Sequence, residues 1–268
     1  MISAIKTAIK FFNEQRIHSL NNIPPLGALI KHKKQPKKLF FFTMDDLWEK
    51  TNTSDLKRLA GILDKHRIKG AFFITPYYDY HELSAEKAKQ FGKILKNHEI
   101  AMHGIRHKRD LMDLDSKERV CELRHCKKFL EDRFDRKIYG YRSPMFLRNR
   151  HLLNELASLG FLYNSDQFLF RPYPFVKDNI SVIPCHDKCD PFAMGLDDKG
   201  ILDLVKSKIE YSIKSGKPYV FLMHAYDINK KNLLIVEKIF GELKSKGFII
   251  NSSISDFAKS VYFRRKDE

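Results

Sequence analysis

Long apolar runs are missing from this chain of 268 residues. No stretch approaches the roughly 18 consecutive apolar residues that a membrane-spanning helix needs. An export signal is missing too: in the opening MISAIKTAIKFFNEQRIHSL, Lys6 and Lys10 interrupt the apolar stretch and no small-residue cleavage site follows. Cysteine is scarce, with Cys121, Cys126, Cys185 and Cys189 the only four. Without export, these are expected as free thiols rather than a disulfide framework. Cys185 to Cys189 has the look of half a zinc site but lacks a second ligand pair at zinc-finger spacing. No glycine-rich phosphate loop follows the first strand-like run, which argues against a nucleotide-binding fold. No solenoid repeat is present, and Trp48 is the single tryptophan.

Acidic residues are the minority charge. Against 33 Asp and Glu stand 49 Lys and Arg, a formal excess of +16. Such an excess suits an anionic partner, either a phosphate-bearing molecule or an acidic membrane surface. The basic residues are spread along the chain, apart from a cluster over Lys31–Lys38, and no nucleic-acid-binding motif is interleaved with them. Nucleic acid is therefore not an expected partner. Near the start, Ile2, Ile5, Ile9 and Phe12 share one helical face with Lys6, Lys10 and Arg16 elsewhere. This predicts an amphipathic helix that packs on the domain or rests on an anionic leaflet. The expected location is cytoplasmic, with association at the inner membrane face.

Residues 1–38 read as this helix and an irregular lead-in containing Pro24, Pro25 and Pro36; residues 39–268 read as one domain. Within it, short apolar runs alternate with helical periodicity. Strands are expected at Leu39–Thr43, Gly70–Thr75, Glu99–Met102, Lys137–Tyr141, Phe161–Asn164, Ser181–Pro184, Tyr219–Met223 and Phe248–Ile250. Helices are expected at Thr53–His66, capped by Thr53 or Ser54, and at Ser84–Asn97, Ser116–Arg133, Arg148–Leu159, Leu202–Ser215 and Lys231–Lys246. Alternation over the whole length means a mainly parallel sheet covered by helices. A barrel closed or nearly closed fits best, with an open doubly wound sheet as the alternative.

In α/β barrels, reactive side chains follow the C-terminal ends of strands. Asp45 and Asp46 follow the first strand, His103 and His107 the third, Arg142 the fourth and His224 the penultimate one. Two histidines four apart can meet one metal ion if the backbone turns between them, and a carboxylate completes the three-ligand set of catalytic zinc. Adjacent aspartates allow one to ligate and the other to accept a proton.

These residues are also where a family resemblance lies. Thr43-Met44-Asp45-Asp46-Leu47, His103-Gly104-Ile105-Arg106-His107, Arg142-Ser143-Pro144 and Phe221-Leu222-Met223-His224 resemble, in order, motifs of the NodB-homology polysaccharide deacetylases, carbohydrate esterase family 4. The resemblance covers roughly residues 39 to 250. It implies a deformed (β/α) barrel of about seven strands and metal-assisted amide hydrolysis. By this likeness Asp46, His103 and His107 would bind zinc or another divalent transition metal. Asp45 would be the general base, Arg142 would hold and tune it, and His224 would protonate the leaving amine. The backbone N–H of Met145 would face the oxyanion. Two features depart from the pattern. Leu47 stands where the family has Gly, and the fourth motif has no clean match. Asp166 could orient His224, with Asn164 where some relatives carry the acid and Asp190 a further candidate. Trp48 could stack on a sugar ring or simply pack.

The resulting expectation is a zinc-dependent hydrolase removing an N-acetyl group from an amino sugar, with a cytoplasmic nucleotide- or lipid-linked precursor of a surface polysaccharide as substrate. The alternatives are a non-catalytic glycan-binding or assembly protein on the same fold, or a hydrolase of another linear or cyclic amide.

Overall fold

Every other residue of the central strands faces the same side, so the strands sort their own side chains into two layers. Phe40, Phe42 and Met44 of β1 (Phe40–Leu47) join Phe72, Ile74, Met102, Tyr141, Phe221 and Met223 in a large core beneath the helices. The alternate positions Phe41, Phe73, Ala101, Tyr163, Val220 and Leu222 form a second, smaller core on the inner face. That inner series continues toward the strand ends as Thr43 and Asp45, His103, Arg142 and His224.

The computed structural model describes residues 38–108, 110–167, 174–185 and 190–266. The expected N-terminal helix, most of the lead-in, His186 and Cys189 lie outside these residues. After β1 the chain runs through α1 (Thr53–His66), β2 (Ala71–Ile74), α2 (Ala85–Ile94), β3 (Glu99–His103), the short α3 (Asp110–Asp113), α4 (Ser116–Phe134), β4 (Gly140–Arg142), α5 (Leu152–Ser158) and β5 (Tyr163–Asn164). Then follow β6 (Phe175–Lys177), β7 (Ile180–Val182), α6 (Asp198–Ser215), β8 (Tyr219–His224), α7 (Lys230–Ser245) and α8 (Ile254–Lys266). Eight strands form one sheet in the order β6-β7-β5-β4-β3-β2-β1-β8. All neighbouring pairs are parallel except β6 with β7. The result is a curled, deformed (β/α) barrel with eight strands, open between β6 and β8, and parallel pairing puts all the catalytic candidates at one rim.

Several local details differ from the sequence reading. The first strand does not stop at Thr43; it continues to Leu47 through an irregularity between Met44 and Leu47. Leu47 is fully buried and pairs with Ile74. Asn52, not Thr53 or Ser54, caps α1, its side chain accepting from the N–H groups of Ser54 and Asp55. The expected strand Phe248–Ile250 is reduced to one bridge, Leu39 to Ile249. Three elements had no expectation at all: the short α3, strand β6 and helix α8. Strand β6 forms a hairpin with β7 through Asp178 and Asn179, both with positive φ (52° and 62°), the backbone a tight hairpin turn demands. Helix α8 lies on the inner face, where Phe257 packs on Phe41 at 5.2 Å between ring centroids and the Ala258 carbonyl accepts from Ser181 Oγ. It plugs the lower half of the sheet and leaves the strand ends open above. Cys121, Cys126 and Cys185 are free thiols.

Candidate metal centre and its acid and base

Asp46 is where β1 breaks its regular pairing. Its φ is 62°, a left-handed conformation that turns its carboxylate back over the rim rather than along the alternating strand direction. His107 has φ 58° and Gly104 φ 61°, so the segment leaving β3 coils tightly and brings His107 back beside His103. At Gly104 the fit is specific: a Cβ there would lie 2.5 and 2.6 Å from the Pro144 ring. The segment after β3 and the turn after β4 are thus locked together through the bare backbone of Gly104.

These turns bring three donors together. His107 Nε2 is 3.0 Å and His103 Nε2 3.4 Å from Asp46 Oδ1. That oxygen is buried yet has no hydrogen-bond partner. His103 Nδ1 faces the Arg142 carbonyl at 3.1 Å. A carbonyl only accepts, so Nδ1 carries the hydrogen and the Nε2 lone pair points at Asp46. Burial, against the fields of Asp45 and Asp46, holds the His103 pKa below its ordinary value and favours the neutral ring that a ligand requires. Burial would raise Asp46, but its contact with His107 and the charges of His103, His107 and His224 outweigh it and keep the carboxyl ionised. A buried carboxylate oxygen with two imidazole nitrogens 3.0 and 3.4 Å away fits a divalent cation, and two His with one carboxylate is a donor set that suits zinc.

Asp45 is held beside this cluster. Arg142, fully buried, donates from Nη1 to Asp45 Oδ1 at 2.7 Å and to Thr43 Oγ1 at 3.0 Å. Its Nε and Nη2 donate to the Ser165 carbonyl and Oγ, and its guanidinium lies 4.2 Å from the Phe73 ring centroid. With Oδ1 engaged, Asp45 Oδ2 lies 3.8 Å from His103 Nε2, on the side of the cluster.

His224 ends β8, in register with Asp45 on the adjacent strand. Asp190 Oδ2 accepts from its backbone N–H at 2.5 Å and lies 3.2 Å from its Nδ1. Burial disfavours the charged ring, but the hydrogen bond to Asp190 and the charges of Asp45, Asp46 and Asp190 prevail, so the His224 pKa is raised. Asp190, rather than Asp166, therefore orients His224. Asp166 is fully buried and spent elsewhere: it accepts from Ser143 N (2.6 Å), Ser143 Oγ (2.9 Å) and Asn164 Nδ2 (3.0 Å). It cannot touch substrate. What it does is fasten the turn that carries Met145, which has a left-handed backbone (φ 53°, ψ 17°).

Trp48 is half-buried and lies one ring back from the cluster. Tyr78 stands between, its centroid 4.6 Å from Trp48 and 4.9 Å from His107, on which it stacks. Tyr226, 65% exposed, stacks on His224 at 5.0 Å and 14°. Sequence reading passed over Tyr78, Tyr226, Asp227, Thr43 and Ser165. Position could have flagged Tyr226 and Asp227, which come immediately after the end of β8.

The class defined here is a curled parallel sheet that carries a His-His-Asp cluster, a buried aspartate and an oriented imidazole at its C-terminal rim. The polysaccharide deacetylase family model matches residues 32–163, just under half of the chain, so this part of the chain is similar to the polysaccharide deacetylases. No curated protein matches the chain in sequence. Among solved structures, a candidate polysaccharide deacetylase from Mycobacterium smegmatis is similar at a TM-score of 0.71 and 18% identity, covering 86% of this chain and 93% of that one. The peptidoglycan deacetylase PdaC from Bacillus subtilis is similar at 0.56 and 18%, covering 87% and 96%. BA3943 from Bacillus anthracis, a pseudoenzyme of carbohydrate esterase family 4, is similar at 0.56 and 16%, covering 84% and 66%.

Proposed function

We propose that the chain is a divalent-metal-dependent N-deacetylase acting on an N-acetylated amino sugar. The observation that carries this reading is the convergence of Asp46, His103 and His107 around an unpartnered carboxylate oxygen, with Asp45 and His224 at the same rim. A divalent ion such as zinc, held by those three residues, would polarise the acetyl carbonyl and make the attacking water acidic near neutral pH. Asp45 takes the proton from that water at Oδ2, while Arg142 holds Oδ1 in place. As the bond from water oxygen to carbonyl carbon forms, the oxyanion lies near the Met145 backbone N–H. His224 delivers a proton from Nε2, the nitrogen not facing Asp190, to the sugar nitrogen. The C–N bond then breaks, and acetate and a free amino sugar leave. Base and acid contribute about 10²–10⁴-fold each. Tyr78 and Tyr226, with Trp48 behind, give the sugar aromatic faces to lie against.

The charge of +16 supports a phosphate-bearing substrate, either a nucleotide-linked sugar or a lipid-linked precursor of a surface polysaccharide met at an anionic membrane face in the cytoplasm. No helix among the described residues is long and apolar enough to cross a membrane. Acetate release from a panel of nucleotide- and lipid-linked N-acetyl sugars, with and without chelator, tests the reading. Chelator-sensitive release supports it. Full metal occupancy without release from any sugar rejects it in favour of a non-catalytic barrel, the condition of the Bacillus anthracis relative.

A further inference from the structure

Beside His224 stands a carboxyl that the reaction above does not use. Asp227 closes the short 3₁₀ turn Ala225–Asp227 that follows β8. One ligand-type atom from each of Asp190, His224 and Asp227 lies within 4.8 Å of the other two. Asp227 Oδ2 is buried and lacks a hydrogen-bond partner. Its backbone is fixed, because its carbonyl accepts from Asn232 Nδ2 at 2.8 Å and Asn229 Nδ2 at 3.3 Å, both at the start of α7. Asp190 is fixed as well: Oδ1 accepts from Phe192 N at 2.8 Å and Oδ2 serves His224.

Resting on the deacetylase reading, we propose that Asp227 is a positioning residue of the acid arm, sharing one proton with Asp190 so that a single negative charge stands behind His224. Asp190 is fully buried and Asp227 half-buried, and two such neighbouring carboxyls ionise together only at a cost, so one keeps its proton. Burial first, and then the charge and hydrogen bond of Asp190, push Asp227 up to about 7, with His224 pulling the other way. The charge count matters because His224 must both hold a proton and release it. A carboxylate behind the ring favours the protonated form that serves as an acid, and each further negative charge carries that form to higher pH. The groups facing this trio are Asp45 and Asp46 of β1, acting on His224, and Tyr226, stacked on the ring. As pH rises and Asp227 ionises, the added negative charge raises His224 further and keeps it protonated into the alkaline range.

Asp227→Asn keeps the shape and removes the titrating proton. Two readouts on the zinc-loaded protein test the proposal: the pH profile of kcat and KM on the best sugar substrate, and the pH titration of the His224 ring by NMR, assigned with His224→Gln. The expected result is a His224 titration moved down by at least about half a unit. The alkaline limb of kcat should move with it, while KM stays unchanged. An unchanged His224 titration in a folded Asp227→Asn protein overturns the proposal. So does a second bound metal ion per chain that the variant loses, since Asp227 would then be a ligand. The NMR titration needs no turnover, so the proposal and the deacetylase reading fail separately.

Discussion

Left-handed backbone recurs along the rim, at Asp46, Gly104, His107, Met145 and Phe146. For a residue with a Cβ this costs on the order of 1–2 kcal/mol, and it persists only where packing over-determines it. Gly104→Ala adds both strain and a collision with Pro144. It is expected to lower stability by about 1–3 kcal/mol and to weaken zinc affinity, read by thermal melts and metal titration. Asp45 and Asp190 can be separated by their chemistry. Asp45→Asn should leave metal content intact and cut acetate release by about 10²-fold or more; full activity in that variant would displace Asp45 as the base. Asp190→Asn acts on pH dependence. His224 is held above its ordinary value in large part by Asp190, and in the proposed mechanism its protonated form is the working one, so activity should fall as pH rises through that raised value. Removing the charge should shift the alkaline limb of the pH–rate profile to lower pH.

Among elements, α4 and α5 depend on a buried ion pair. Arg119 donates from Nε and Nη2 to the two Glu155 oxygens at 2.7 Å each, Ser116 Oγ adds a third hydrogen bond, and both residues are under 5% exposed. Glu155→Ala strands a buried guanidinium and is expected to destabilise the fold by about 3–5 kcal/mol in denaturant titrations. Burial alone would raise the Glu155 pKa, but Arg119 and Ser116 outweigh it and the pKa is lowered. Its stabilisation is therefore complete above the ordinary glutamate value of 4.5 and is lost as pH falls through the depressed one. Helix α8 works by burial instead. Phe257, 8% exposed, packs against Phe41 beneath the site, and Phe257→Ala should cost about 3–5 kcal/mol.

For the whole molecule, an ion held by Asp46, His103 and His107 would make metal binding and stability one equilibrium. An ion that binds only the folded state adds about 2.7 kcal/mol at a hundred times its dissociation constant. Zinc should therefore raise the melting temperature, chelator should reverse the rise, and Asp46→Asn should abolish it by removing the central oxygen. A melting temperature indifferent to zinc would mean the three residues do not hold the ion.

What the sequence determined by itself is what local chemistry determines. Periodicity of 2 and 3.6 set the alternation of strands and helices, and strand-end position singled out Asp45, Asp46, His103, His107, Arg142 and His224 before any coordinate was known. Other features come from contacts between distant segments, and only the tertiary structure decided them. Asp190 reaches His224 across 34 positions, while Asp166 turns away to Ser143. Strand β6 exists because β7 offers it an edge, and α8 has a weakly amphipathic sequence whose place is set by the open inner face it fills. A chain announces where backbone hydrogen bonds repeat and where reactive groups follow strands; which carboxylate meets which imidazole is fixed only when the sheet curls.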